Sequence, residues 1–240
     1  MLATDKHLNI GSLLFDDLDQ IDLTGPFEVL SRVPNATYRL YAPTAAPVKD
    51  IKGLRITPDA TLADAPQLDV LHVPGGFGQE RLMENAEVLD WIARQAKGAH
   101  AVFSVCTGAL LCGAAGLLVG RKATTHWASF HLLPLFGATP VNARVVKDGN
   151  YIFAAGVTAG IDGALQLAAA LRGQAVAENI QLYMAYAPEP PFNAGTPETA
   201  PSAILAGARD GIRELTQRRE RSARRVAERL GITAEPLRAF

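Results

Sequence analysis

Short apolar runs alternate with longer stretches of mixed polarity over the first 186 residues, and the alternation sets out the elements. Leu8 to Phe15 (LNIGSLLF) is mostly apolar and ends in Asp16-Asp17, the pattern of a buried strand. Thr24-Gly25-Pro26 predicts the opening of a helix that runs to about Val33, with Thr24 as its cap and Pro26 near its first turn. Tyr38 to Ala42 reads as a strand, and Val48 to Pro58 as an extended segment or hairpin. Asp69 to Val73 (DVLHV) is a buried strand halted by Pro74-Gly75-Gly76, and Glu87 to Lys97 is an amphipathic helix carrying Leu89, Ile92 and Ala96. His100 to Val105 is the next strand and runs directly into Cys106-Thr107-Gly108. The small and Leu residues from Thr107 to Gly116 suit a buried helix packed closely on a sheet. A short helix at Trp127–Phe136, a hairpin over Val141–Ala155 turned at Asp148-Gly149-Asn150, and helices at Ile161–Leu171 and Ala175–Ala185 complete the series. Strands alternating with helices predict an α/β sandwich of flavodoxin type, a mostly parallel sheet flanked by helices.

The pattern changes near residue 186, which divides the chain into a domain at 1–186 and an appendage at 187–240. Ala187 to Pro201 holds five prolines and reads as an extended arm. Ser202 to Leu230 follows as one long charged helix. Between Arg209 and Arg229 eight Arg stand against four Asp or Glu, an excess of +4. Its apolar stripe (Ile212, Leu215, Ala223, Val226, Leu230) is narrow. This predicts a solvated helix with one edge laid on the domain or on a partner subunit. Nucleic-acid binding through it is disfavoured, because no second helix completes a helix-turn-helix.

Composition narrows the function classes. The 240 residues carry a net charge of −1, which gives no general attraction to nucleic acid or to anionic lipid. No apolar run approaches the roughly 20 residues of a membrane span. Asp5, Lys6, His7 and Asn9 precede only a short apolar stretch, unlike a secretory signal, so a cytoplasmic protein is expected. The two cysteines, Cys106 and Cys112, form no CxxC pair, and at a spacing of six they face different sides of a helix, so no disulfide is expected. The five histidines show no HxxxH or HExxH spacing, and no metal site is expected.

Three features carry chemistry. Ser104-Val105-Cys106-Thr107-Gly108 places a cysteine between small residues two before and two after it, as a nucleophile elbow between strand and helix requires. Such a turn exposes the sulfur at the C-terminal edge of the sheet, and the following helix would lower the thiol pKa. The same residues also fit an ordinary buried cysteine. Cys112, among Ala, Gly and Leu, reads as structural. Pro74-Gly75-Gly76 fits either a plain turn or backbone N–H groups that meet a developing negative charge. Asp22, between Ile21 and Leu23, either caps the helix or is a desolvated carboxyl that keeps its proton and passes it to a substrate.

With these pieces in order the chain resembles the ThiJ/PfpI superfamily, the cysteine-elbow branch of the class I glutamine amidotransferase-like fold, and within it the isonitrile-hydrating members. The matching stretches are IDLTGPFEVL at 21–30, DVLHVPGG at 69–76, SVCTGALLCGAAGLLVGRKATTHW at 104–127, TAGIDGALQLAA at 158–169 and YAPEPPFNAGTPETAP at 186–201. The central block is also similar to the corresponding domain of AraC-type regulators; the proline-rich arm before a basic helix favours the hydratases. The resemblance implies Cys106 as nucleophile, Asp22 as the acid/base beside it, and Gly75, Gly76 and Thr107 along the pocket. His126 would lie close to the cysteine or in the core behind it. The implied reaction is hydro-lyase chemistry on a small isocyanide, giving an N-substituted formamide with no metal or organic cofactor, by a homodimer. Thr107 stands where protease-like and amidotransferase-like relatives place His after the cysteine, which disfavours their chemistry. Glyoxalase- or deglycase-like action on small carbonyls, and a ligand- or redox-sensing domain, stay open on the sequence.

Overall fold

The structure, a computed structural model, describes residues 5–239. Its strands are β1 (Leu8–Leu13), β2 (Ala36–Ala42), β3 (Val48–Lys49), β4 (Arg55–Ile56), β5 (Ala60–Thr61), β6 (Val70–Val73), β7 (Ala101–Val105), β8 (Lys122–Ala123), β9 (Thr139–Pro140), β10 (Val145–Asp148) and β11 (Tyr151–Ala154). Seven of them form the main sheet in the order β10-β11-β7-β6-β1-β2-β5, parallel throughout except for the β10–β11 hairpin. The apolar runs become the central strands because both faces are covered: β6 and β7 are buried at every position. The expected hairpin near residue 50 is the small antiparallel pair β3–β4.

One face carries α1 (Gln20–Leu30), α5 (Ala159–Arg172) and α6 (Gln174–Tyr183). The other carries α2 (Gln79–Leu82), α3 (Ala86–Gly98), α4 (Gly108–Ala114), a 3₁₀ helix at Trp127–Phe136 and the second half of α7 (Ser202–Leu230). Strand β1 shows how one sequence serves both: Leu8 and Ile10 enter the α1/α5 core, whereas Leu13 enters the opposite one. Among the described residues no helix is long and apolar enough to cross a membrane.

Helix α1 corrects the sequence expectation. It starts four residues earlier than Thr24, capped by Asp19, whose Oδ1 accepts the Ile21 N–H at 3.2 Å. Pro26 is therefore interior, and the Asp22 carbonyl loses its N–H partner four residues on. The buried His72 ring stands against that carbonyl, while its Nδ1 meets Tyr38 Oη at 2.7 Å and Ser12 Oγ at 3.0 Å. Burial pushes the His72 pKa down to about 3, so the ring is neutral. The segment 127–136 is 3₁₀ rather than α, with Pro134 inside it removing one donor.

The arm at 187–201 has no regular structure, as its prolines dictate. Helix α7 lays Leu215, Arg219, Ser222, Ala223, Val226 and Ala227 against the 3₁₀ helix, α2 and α4 of its own chain. Its first half stands clear of the domain, with Ile204 61 % exposed.

Candidate active site

The sheet order puts the C-terminal ends of β1, β6 and β7 side by side, at the point where successive connections leave in opposite directions. Asp22 lies beyond β1, Pro74-Gly75-Gly76 beyond β6, and Cys106 beyond β7. Three segments far apart in sequence thus meet at one edge.

Cys106 is the elbow residue. Its φ is +56°, a left-handed conformation that an L side chain occupies only under constraint. The constraint is visible on both sides of the residue. Its N–H donates to the Ala154 carbonyl at 2.9 Å, and its own carbonyl accepts the Thr125 hydroxyl at 2.7 Å. Gly108 must be glycine, because a Cβ there would lie 2.0 Å from the Val73 carbonyl oxygen. The sulfur is less exposed than the elbow pattern implied: Cys106 is buried, at the wall of a small cavity of about 70 Å³.

Asp22 is fully buried beside it. Oδ2 accepts the Gly75 N–H at 3.0 Å, Oδ1 has no hydrogen-bond partner, and Cys106 is the neighbouring thiol that acts on the carboxyl. Burial, reinforced by the charge of Asp19, pushes the Asp22 pKa up to about 8, against the opposing pull of Cys106, the Gly75 N–H and Arg219. The capping alternative for Asp22 falls, since Asp19 is the cap.

The Cys106 thiol is also displaced upward from its ordinary value. Burial is the main cause and the Asp22 charge the next; Arg219 and the Thr107 N–H oppose them. This reverses the expected lowering by the helix end. Helix α4 has only seven residues, and desolvation outweighs its terminus. The two groups titrate as a coupled pair, each shifting the other.

The glycines stand differently from the expected donor pair. The Gly75 N–H is engaged by Asp22, and the Gly76 N–H donates to Thr107 Oγ1 at 3.1 Å. Their positions hold the carboxyl and the Thr107 side chain in place, and the N–H that reaches the sulfur is that of Thr107. A Cβ on Gly75 would sit 2.6 Å from Thr107 N and 2.9 Å from Asp22 Oδ2. His126 shares the cavity wall with Cys106 and caps the 3₁₀ helix, its Nδ1 accepting the Ala128 N–H at 3.4 Å. Burial, with Arg219 adding to it, pushes its pKa down to about 4, so it is neutral. Cys112 lies in the core with its thiol pushed up to about 12 by burial, and both cysteines are free.

Sequence reasoning missed Arg219. It reaches the same cavity from α7, and its guanidinium donates to the Gly76 carbonyl at 2.7 Å. A signal existed: residue 219 lies at helical spacing on the stripe that holds Leu215, Ala223 and Val226.

The elbow cysteine, the facing carboxyl and the sandwich around them define a class, and the chain belongs to the DJ-1/PfpI family, whose model matches residues 9–170. Over 225 residues it is 48 % identical to the isonitrile hydratase of Pseudomonas putida, covering 94 % of this chain and 99 % of that protein. It is similar in structure to a ThiJ/PfpI family protein from Pseudomonas syringae, with a TM-score of 0.88, 40 % identity and 91 % of each chain covered. The HTH-type transcriptional regulator GbdR of Pseudomonas aeruginosa is 30 % identical over 66 % of this chain but 45 % of its own length.

Proposed function

We propose that the protein is an isonitrile hydratase in which Cys106 is the nucleophile and Asp22 the proton carrier. The observation that carries the mechanism is the fully buried Asp22 carboxyl beside the Cys106 sulfur, with a pKa near 8 and therefore protonated at neutral pH. In the reactive form the proton sits on Asp22 and the charge on sulfur. The thiolate attacks the terminal carbon of R–N≡C, a C–S bond forms, and the Asp22 proton passes to that carbon, giving a covalent thioimidate. The Asp22 carboxylate then takes a proton from water as its oxygen adds to the same carbon. Asp22 gives that proton to nitrogen and takes the O–H proton as the C–S bond breaks, and the N-substituted formamide leaves with the thiolate and the Asp22 proton restored. The net reaction consumes one water.

The pocket supports this substrate class. The small cavity at Cys106 suits the narrow isocyano end. Ala128 and Ile212 of its wall also line a wider trough of about 420 Å³ between α7 and the 3₁₀ helix, which has room for the substituent. The protein works as a cytoplasmic homodimer in this reading. The two unpaired thiols support the compartment, and exposed Phe192 of the arm together with exposed Ile204 on the first half of α7 supports the dimer. Ultraviolet detection of formamide from an aryl isocyanide tests the activity, and no turnover by protein with a verified free thiol sinks it.

Asp22→Asn is expected to lower turnover by about 10²–10⁴-fold, the range of a lost general acid–base. Wild-type activity should rise as pH approaches about 8, where the Cys106/Asp22 pair gives up the first of its two protons and reaches its reactive one-proton form, and the residual activity of the variant should lack that limb. Stability has the same origin. The folded-state pKa of Asp22 lies above its ordinary 3.8, so its contribution is full below that value and is lost as pH rises toward about 8. Thermal melts should therefore show Asp22→Asn gaining on wild type between pH 5 and 9. A constant difference across that range would mean that Asp22 does not hold a proton.

A further inference from the structure

Helix α7 brings to the thiol a charge that the acid and the nucleophile do not account for. Arg219 is only 4 % exposed, on the face that carries Leu215, Ala223 and Val226 into the domain. Three of its N–H groups are placed: on Gln79 Oε1 at 3.1 Å, Ser129 Oγ at 3.4 Å and the Gly76 carbonyl at 2.7 Å. All three acceptors are neutral. A buried guanidinium stays protonated, and without a nearby negative charge its burial is costly.

The charged groups facing it can be taken element by element. From α2, Glu80 bonds Ser222 at 2.8 Å and lies 3.9 Å from Arg218, so it is shared. From α7 itself, Arg218 is a like charge. His126, capping the 3₁₀ helix, is neutral. Asp19, the α1 cap, shares the cavity wall, but its Oδ1 is engaged by the Ile21 N–H at 3.2 Å. There remain Cys106, at the turn before α4, and Asp22 of α1; of all these neighbours Cys106 acts most strongly on Arg219.

We propose that Arg219 is the counter-ion of the Cys106 thiolate, a positioning residue that favours the one-proton form of the Cys106/Asp22 pair over the two-proton form. The inference rests on the reading of Cys106 as nucleophile. One proton shared by a thiol and a carboxyl leaves a charge of −1, which the guanidinium neutralises inside a water-poor cavity. Remove the guanidinium and the pair holds its second proton to higher pH, leaving less of the thiol in its nucleophilic form. Helix α7 thereby switches on the cysteine of the domain it caps, and the hydrogen bonds to Gln79, Ser129 and the Gly76 carbonyl hold the charge in place.

The test is the pH titration of thiolate ultraviolet absorbance in wild type, Arg219→Met and Arg219→Lys, each read against its own Cys106→Ala background, with iodoacetamide alkylation rates beside it. Arg219→Met should raise the thiol midpoint by about one unit or more and slow alkylation at pH 7 by about tenfold. Arg219→Lys keeps the charge and should move the midpoint by less than half as much. A folded Met variant with the wild-type midpoint overturns the proposal. Equal shifts in Met and Lys also overturn it, because the hydrogen bonds and not the charge would then matter. If the Met variant does not fold, the Lys variant decides: an unmoved midpoint with a lowered melting temperature supports the counter-ion, and a shift of a full unit overturns it. The titration needs no isocyanide. Wild type that titrates as expected yet makes no formamide would sink the hydratase reading and leave Arg219 standing.

Discussion

Cys106→Ala is expected to leave isocyanide turnover at least about 10⁴-fold below wild type, and Cys106→Gly to be as inactive while being the more stable of the two. The activity loss follows because no other group near the cavity can form the covalent bond to carbon: Thr107 has its hydroxyl engaged with Gly76, and Cys112 is sealed in the core. The stability contrast follows from the elbow. At φ +56° both Cys and Ala carry the left-handed penalty of about 1–2 kcal/mol, which glycine escapes. Both variants lose the same buried sulfur, and the relief of backbone strain in the glycine outweighs its lost Cβ and its freer unfolded chain. Melting temperatures should rank Gly above Ala by an amount worth about 1 kcal/mol. Formamide production by the Ala variant above about one per cent of wild type would remove Cys106 from the reaction. Equal melting of the two would show that the elbow stores too little strain to outweigh those losses, contrary to its dihedral.

How much of this was legible depended on the range of the forces involved. The elbow could be read from Ser104-Val105-Cys106-Thr107-Gly108 because the demand for small residues is local, and the observed contact of Gly108 with Val73 is that demand made visible. The parallel strands could be read because burial on both faces leaves continuous apolar runs such as VLHV and AVFSV. The start of α1 could not. Thr24-Gly25-Pro26 has the local signature of a helix N-terminus, but His72, some fifty residues on, stands by the carbonyl that Pro26 frees and lets the helix run through. The two glycine N–H groups stay open between a plain turn and a ligand in the sequence for a similar reason. Their direction is decided by Asp22 and Thr107, which arrive from other strands. Arg219 was lost to composition: one arginine among eight on a charged helix reads as solvent-facing unless its position on the apolar stripe is weighed first. The sign of the Cys106 shift was lost for a different reason, since the depth of a cavity is not written in a turn motif.

Gly108→Ala should destabilise the fold by about 3 kcal/mol or more, the largest stability effect expected of any single methyl group at this site. The added Cβ would lie 2.0 Å from the Val73 oxygen, 2.8 Å from its carbonyl carbon and 2.9 Å from the Pro74 oxygen. All three are backbone atoms, so no rotamer change can clear them. Nor can the strand retreat easily, because β6 is paired on both sides, to β1 and to β7. What must move is the start of α4, and Thr107 and Cys106 move with it. Turnover of any folded fraction should therefore fall too, since a displacement of about 1 Å at a reacting group costs about 10²-fold. Gly207→Ala gives the contrast. That glycine lies in the exposed first half of α7 with nothing within 4 Å of a Cβ, and the substitution should stabilise by about 0.5–1 kcal/mol with turnover unchanged. Denaturant melts with formamide assays on both variants measure the two effects. If Gly108→Ala melts like wild type and turns over normally, α4 is not locked against β6. The close approach would then be a feature that the active site does not need, and the rigidity of the elbow would have to come from the Thr125 and Ala154 hydrogen bonds alone.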